Sequence, residues 1–344
     1  MKILHILGTD QMSGAERVHL DILRRLKKDN EVFYASPDGS IRNDVEASGV
    51  TFVPLDPERP GNIKDIFRKL SPDVVHAADP RMSFKCARAG VPFISHLHAN
   101  CTWMERICPN SAALAYAAKR AEALIAVSES IPDRFVFRRA MEGKLRVLPN
   151  TVDRERILSL SAADHDGEYD LVFVGRLSDV KRPLLFLEIF EELKAQKPDA
   201  TAAVVGDGEM RGDVERYIME RMIGGVTLFG YDPNPYRIMA RSRVMLVTSE
   251  YEGFGLVAVE AMTLGIPVVA FPAGGITEIA RAGGFISNTA HEASSLALDL
   301  LRDDELYTDA SRRADETSRR YTDVDGYVEK IKEIYEDCVR GRGK

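Results

Sequence analysis

The sequence predicts an α/β protein built of two doubly wound domains. Short β-rich runs alternate with longer helical patterns along the chain, the mark of parallel sheets assembled from right-handed βαβ units. Several runs are apolar on both faces, as in Leu171-Val172-Phe173-Val174 and Pro267-Val268-Val269-Ala270-Phe271, so their sheets are covered on both sides. Finally, 344 residues at about 100–200 per domain suggest two domains.

The elements follow in order. Strand 2–7 carries Ile3-Leu4-His5-Ile6-Leu7 and stops at Gly8. It has neither the apolar length of a signal peptide nor a small-residue cleavage site, so it reads as structure. Strands 31–36, 51–55, 73–77, 93–98, 124–128 and 145–149 come next, with helical patterns at 14–28, 62–70 and 110–121. Asp153 to Tyr169 is polar, with Ser159, Ser161, Asp164, His165, Asp166, Gly167 and Glu168, and is the expected linker. Beyond it lie strands 170–175, 201–207, 226–230, 243–249, 267–271 and 283–287, with helical patterns at 181–195, 210–222, 255–264 and 290–302. The stretch 304–340 is charged and helical, and its stripe Val324, Tyr327, Val328, Ile331, Ile334, Tyr335 and Val339 keeps helical spacing.

Composition narrows the function. With 45% hydrophobic and 29% charged residues the chain is globular, and no apolar run reaches the roughly 18 residues of a membrane-spanning helix. Cys86, Cys101, Cys108 and Cys338 are too sparse in 344 residues for a disulfide scaffold, and with no Cys-x-x-Cys pair among them a structural zinc site is disfavoured. Cys101 and Cys108 share a loop and read as idle thiols before a bridge. The compartment is expected to be cytoplasmic. A net charge of −7 argues against nucleic acid as a partner, although residues 1–150 carry +4 and the remainder −11.

Ligands of open α/β sheets bind beyond the carboxyl ends of the strands, and five motifs stand there. After strand 243–249, Glu250-Tyr251-Glu252-Gly253-Phe254-Gly255-Leu256 turns into a helix whose N-terminal amides at Gly255, Leu256 and Val257 suit a phosphate. Glu260, on a helix apolar nearly all round, is expected to be buried, and a buried carboxylate needs a partner: an arginine, or a bound diol donating two hydrogen bonds. After strand 170–175, Arg176 and Lys181 suit a diphosphate; taken alone they read better as a solvated basic loop. Gly206-Asp207-Gly208-Glu209-Met210-Arg211 lacks the third glycine of a dinucleotide fingerprint, and a tight turn explains its glycines. After the first strand, Ser13 and Glu16 form a capping box and Gly14 leaves the helix tip bare. His98 ends strand 93–98, with His96 on the same face, and His76 is a second candidate in the same cleft. The sequence shows no metal-ligand spacing, nucleophile elbow or phosphate-binding Walker loop.

Taken together these residues resemble glycosyltransferase family 4, retaining enzymes of the GT-B fold. The resemblance rests on Glu-x7-Glu at Glu252 and Glu260 within Glu-Gly-Phe-Gly-Leu. Around it stand Ser-Gly-Ala-Glu-Arg at 13–17, Asp-Val-Val-His at 73–76, Val-Ser-Glu-Ser at 127–130, Pro-Asn-Thr-Val-Asp at 149–153, Val-Gly-Arg-Leu at 174–177, Gly-Asp-Gly-Glu at 206–209 and Gly-Gly-Ile-Thr-Glu at 274–278. Thr151 and Thr277 depart from the family, where Gly and Pro are common.

The resemblance implies two Rossmann-like domains facing across a cleft: an acceptor domain at 1–160, a nucleotide-sugar donor domain at 161–322, and a helix at 323–344 returning to the first. It implies transfer of a hexose, with a UDP-sugar favoured over GDP-mannose, to a glycan, lipid-linked or small-molecule acceptor. Arg176 and Lys181 would hold the diphosphate, Glu252 and His98 the donor sugar, and Glu260 the ribose. Backbone at Phe254, Gly255, Leu256 and Val257 would touch sugar and phosphate, the base would lie near Tyr231, and Gly14 would admit the diphosphate or acceptor. No cofactor or metal is expected, since no Asp-x-Asp ends a suitable strand. An epimerase or glycan phosphorylase of the same fold, or a non-catalytic sugar-nucleotide scaffold, are the alternatives. The basic residues Arg24, Arg25, Lys27 and Lys28, with Arg134-Phe135-Val136-Phe137-Arg138-Arg139 on another helix, predict weak, salt-sensitive contact with an anionic inner membrane face.

Overall fold

The computed structural model describes residues 1–59 and 61–342. The chain divides into two compact units, Met1–Thr151 with Val324–Lys344, and Val152–Asp323.

The first unit holds a seven-stranded parallel sheet: β1 (Lys2–Ile6), β2 (Glu31–Ser36), β3 (Thr51–Pro54), β4 (Val74–Ala77), β5 (Ile94–Leu97), β6 (Ala123–Ala126) and β7 (Leu145–Val147), in the order β3-β2-β1-β4-β5-β6-β7. Its central strands are buried on both faces, as apolar parallel strands require. Helices Ile41–Ala47 and Pro80–Ala89 complete crossovers for which the sequence reading had no helix. The second of these starts on Asp79, whose carboxylate accepts the Met82 amide at 2.7 Å, and ends on left-handed Gly90.

The second unit holds a six-stranded parallel sheet: β8 (Tyr169–Val174), β9 (Ala202–Val205), β10 (Val226–Gly230), β11 (Ser242–Val247), β12 (Val268–Ala270) and β13 (Phe285–Ile286), ordered β10-β9-β8-β11-β12-β13. Helix Pro183–Gln196 packs Phe186, Phe190 and Leu193 into a core shared with Leu171, Phe173, Val204, Val244 and Leu246.

Two boundaries differ from the expected ones. Residues 154–161 form a helix of the second unit rather than a linker. Asp153 caps it through the Arg156 amide at 3.0 Å, and the Leu160 carbonyl accepts Asn234 Nδ2 at 2.9 Å. Of its residues only Ile157 is buried, so its polar composition hid it. The 304–340 stretch is two helices, Asp304–Ser318 in the second unit and Val324–Arg342 in the first, joined by a 3-10 turn at Arg319–Tyr321. Tyr327, Val328, Ile331 and Tyr335 of the last helix are buried. Residues 343 and 344 lie outside the described residues.

The segment 134–139 is no α-helix: residues 134–137 connect helix Ser130–Asp133 to the 3-10 turn Arg138–Met141, which takes in the last two. Phe135 is buried in the core with its ring 6.1 Å from that of Phe137, and Arg134 pairs with Glu105 at 2.8 Å. Among the described residues no helix is long and apolar enough to cross a membrane, and all four cysteines are free.

Candidate functional site

All strands of the second unit run parallel, so their carboxyl ends, and the loops behind them, share one edge of the sheet. The loop after β8 is held there by the residues that follow β11. Thr248 donates its hydroxyl to the carbonyls of Lys181 at 2.8 Å and Arg182 at 3.1 Å, and the Glu250 amide donates to the Val180 carbonyl at 2.8 Å. Arg182 sits at φ 51°, a conformation that costs a non-glycine residue about 1–3 kcal/mol. These contacts hold the loop in that shape.

The loop delivers Lys181 to Glu252. The ammonium donates to Glu252 Oε1, which also accepts the Ser249 hydroxyl at 2.8 Å. Glu252 is fixed through its backbone as well: its amide donates to the Ala273 carbonyl at 2.7 Å and its carbonyl accepts the Gly275 amide at 2.9 Å. Helix Leu256–Thr263 then starts at Gly255, whose φ of 103° favours glycine. No side chain caps it, so its first-turn amides and the positive end of its dipole face whatever lies beyond.

Glu260 is half-buried rather than fully buried. Leu256, Val257 and Glu260 share one partly exposed stripe, while Ala258, Val259, Ala261 and Met262 face the core. Tyr236 donates its hydroxyl to Glu260 Oε1 at 2.9 Å. The Phe254 side chain is buried edge-on to Tyr321 at 5.2 Å, which leaves its backbone to the loop. Tyr231 follows β10 and is 64% exposed.

Arg176 lies on the exposed rim and pairs with Glu209, on the loop after β9, at 3.2 Å. The glycines of that second loop do more than turn. A Cβ at Gly206 would fall 1.9 Å from the Gly175 carbonyl oxygen, and one at Gly208 2.4 Å from that of Leu177. Only glycine lets the two loops lie in contact.

In the first unit Gly14 is exposed at the start of helix Gly14–Leu26. The expected capping box is altered: the Ser13 hydroxyl caps no backbone amide and instead donates to the Glu16 carboxylate. Burial raises the Glu16 carboxyl above its usual range.

His98 stands just past β5 and is half-buried. Its Nε2 lies 2.9 Å from His19 Nε2, His19 Nδ1 lies 2.8 Å from His5 Nδ1, and His5 Nε2 lies 2.8 Å from the Tyr335 hydroxyl. That hydroxyl also meets His76 Nδ1 at 2.6 Å. His98, His19, His5, Tyr335 and His76 therefore form one unbroken hydrogen-bonded chain. His76 is fully buried within it and is no site residue at an open strand end. Burial pushes His5 and His98 down to about 3, and holds His19, His76 and His96 well below the usual imidazole range. All five are neutral at neutral pH.

The sequence search missed Ser249, Tyr236, Glu209, His5, His19 and Tyr335. For His5 a signal existed: the doubly wound order places β1 beside β4, and His5 is in register with His76. Tyr335 carried none, since it lies 330 residues from His5. Likewise, no spacing in the sequence announces a metal-ligating group, yet the fold gathers two such sets of histidines.

Residues 160–317 match the model of the glycosyl transferases group 1 family and residues 12–156 that of Glycosyltransferase Family 4. The chain is 29% identical over 180 residues to N-acetyl-alpha-D-glucosaminyl L-malate synthase of Bacillus anthracis, covering 51% of this chain and 47% of that protein. It is 28% identical over 244 residues to the sulfoquinovosyl transferase SQD2 of Arabidopsis thaliana, covering 64% and 46%. The chain thus spans about half the length of these relatives. Among solved structures, Anabaena Alr3699/HepE in complex with UDP-glucose superposes with a TM-score of 0.85 at 21% identity, covering 98% of this chain and all of that one.

Proposed function

Because the chain belongs to the glycosyltransferases of the family 4 type and has the GT-B fold, we propose that it is a retaining enzyme moving a hexose from a nucleotide diphosphate sugar to a glycan, lipid-linked or small-molecule acceptor. The observation that carries this reading is the meeting, on one edge of the second unit's sheet, of Lys181, Glu252 and an uncapped helix start at Gly255. A UDP-sugar is the favoured donor, since the Anabaena neighbour was solved with UDP-glucose.

When the sugar leaves, negative charge grows on the diphosphate. Lys181, Arg176 and the amides of Leu256 and Val257 stabilise it where it develops. Glu252, locked by Ser249 and Lys181, presents its second oxygen to the sugar hydroxyls. Glu260 binds the ribose diol, and Tyr231 lies near the base. The resemblance carries His98 to the donor sugar and Gly14 to the diphosphate or acceptor. Two cations and a helix dipole supply the charge a metal would otherwise supply at the diphosphate. No carboxylate is assigned as a nucleophile. The leaving phosphate takes the acceptor's proton on the face it departs from, which retains the anomeric configuration.

The test is turnover of a panel of UDP- and GDP-sugars, read as released nucleotide, with the anomeric configuration of the product determined by NMR. Release of UDP with an α-linked product from an α-linked donor is expected. Inversion would refute the retaining mechanism. Donor binding with no release across a broad acceptor panel would favour the non-catalytic scaffold.

A further inference from the structure

Five of the chain's seven histidines, at positions 5, 19, 76, 96 and 98, pack ring to ring inside the first unit, with neighbouring centroids 3.9–5.3 Å apart. Four of these rings, with Tyr335, make up the hydrogen-bonded chain described above. His96 stands outside it. It is fully buried, and neither ring nitrogen has a hydrogen-bond partner among the described residues. Buried polar atoms are seldom left so, and an ion is one of the recognised reasons for an exception. His98 Nδ1 is without a partner as well. One ring nitrogen from each of His19, His96 and His98 lies within 4.8 Å of the others.

From this arrangement we propose that His19, His96 and His98 form a binding site for a divalent transition-metal ion of the Zn2+ or Co2+ type. Three imidazoles with a fourth position left open is a known ligand set for such ions. With no carboxylate among the three ligands, Mg2+ and Ca2+, which take oxygen ligands, are excluded. Zinc–nitrogen bonds of about 2.0–2.1 Å place tetrahedral ligand nitrogens about 3.3 Å apart. The 2.9 Å between His19 and His98 and the 4.8 Å limit of the set bracket that value.

Proton placement agrees. With the His19 Nε2 lone pair on the ion, its proton sits on Nδ1 and is donated to His5 Nδ1. His5 then donates from Nε2 to the Tyr335 oxygen, and Tyr335 donates to His76 Nδ1. Each contact has one donor and one acceptor, at 2.8, 2.8 and 2.6 Å. Such outer hydrogen bonds orient a ligating histidine and fix its tautomer. His98, the one member of the set that is not fully buried, is the side from which the ion and a fourth ligand enter. Occupancy would take the lone pair of His98. If His98 contacts the donor sugar, as the transferase reading has it, the bound ion inhibits transfer.

The test uses tag-free, full-length protein stripped with chelator and then dialysed. Titration with CoCl2 should give visible d–d bands that saturate at one equivalent, vanish on addition of ZnCl2 and persist in MgCl2. His96→Gln should weaken Co2+ binding at least tenfold while keeping the native circular dichroism spectrum. Absence of a saturable band, or unchanged Co2+ affinity in His96→Gln, would overturn the site. Should that variant fail to fold, X-ray absorption of the Zn2+-loaded native protein decides: three imidazole ligands are expected, and two or fewer would overturn the site. One equivalent of Zn2+ should lower nucleotide release by the native protein and leave His96→Gln unaffected. Unchanged release at saturating Zn2+ would overturn the competition for His98. If no donor turns over at all, the transferase reading fails while the cobalt spectrum still decides the site.

Discussion

At the scale of single residues, the two cations proposed for the diphosphate are not equivalent. Arg176 is exposed and bonds to the rim carboxylate Glu209, whereas Lys181 lies against Glu252 on a loop that Thr248 braces. Each, changed to Ala, should slow transfer by about tenfold to a thousandfold, the range for losing one charge-stabilising donor. Lys181→Ala should be the more damaging, because it also releases Glu252 from its set position. Steady-state release of nucleotide measures both, and equal, small effects would place the diphosphate elsewhere. Glu260 offers a second test. Half-buried, and accepting from Tyr236 at 2.9 Å, it is oriented by a hydroxyl whose removal leaves the ring packing intact. Glu260→Gln and Tyr236→Phe should both lower donor affinity, with Glu260→Gln the larger, and shift the melting temperature by only a few degrees. A Glu260→Gln variant that unfolds in step with its lost affinity would make the carboxylate structural.

At the scale of elements, the loops after β8 and β9 behave as one part. Gly206→Ala would drive a Cβ to within 1.9 Å of the Gly175 carbonyl oxygen at a φ of 139°, so the loops must separate. We expect a loss of about 1–3 kcal/mol, with donor affinity falling alongside it. At Gly212, in helix Arg211–Glu220, an added Cβ would meet nothing within 4 Å, and Gly212→Ala should leave stability unchanged or raise it by up to about 1 kcal/mol. Denaturant titration of the pair distinguishes loop contact from a general intolerance of alanine. The C-terminal helix is an element with a different duty. Its Tyr335 hydroxyl serves both His5 and His76. Tyr335→Phe keeps the ring and strands two buried nitrogens, for an expected cost of about 1–3 kcal/mol, read as a lowered unfolding midpoint. A midpoint equal to that of the native protein would mean the hydroxyl holds neither histidine.

At the scale of the molecule, the buried histidines make stability depend on pH. Their folded pKa values lie below the unfolded value of about 6.5, at about 3 for His5 and His98. Between those limits the unfolded chain binds more protons than the folded one, so stability is full above about pH 6.5 and is lost as pH falls toward 3. Each histidine contributes a slope of up to about 1.4 kcal/mol per pH unit. Glu16 and Asp79, raised by burial, act with the opposite sign above the ordinary carboxylate range, but they are two against five. The unfolding free energy should fall between pH 7 and pH 5, less steeply in His96→Gln. A flat profile over that range would contradict neutral burial of the cluster.

The sequence by itself determined both sheets. All thirteen strands lie where alternation and two-faced apolar runs put them, because a covered parallel strand has no polar face to spare and its composition shows it. It also determined which loops carry Arg176, Lys181, Glu252 and Gly255, since strand ends are local features. The short helices at 41–47 and 154–161 escaped notice because they bury only two residues and one, and one face of two turns is too little pattern to stand out from loop composition. Which groups meet was decided by tertiary structure alone. Lys181 and Glu252 are 71 residues apart, His19 and His98 79, and His5 and Tyr335 330. A hydrogen bond or a ligand set is a matter of a few tenths of an ångström between such partners, and that distance is written in strand order and helix packing rather than in spacing along the chain.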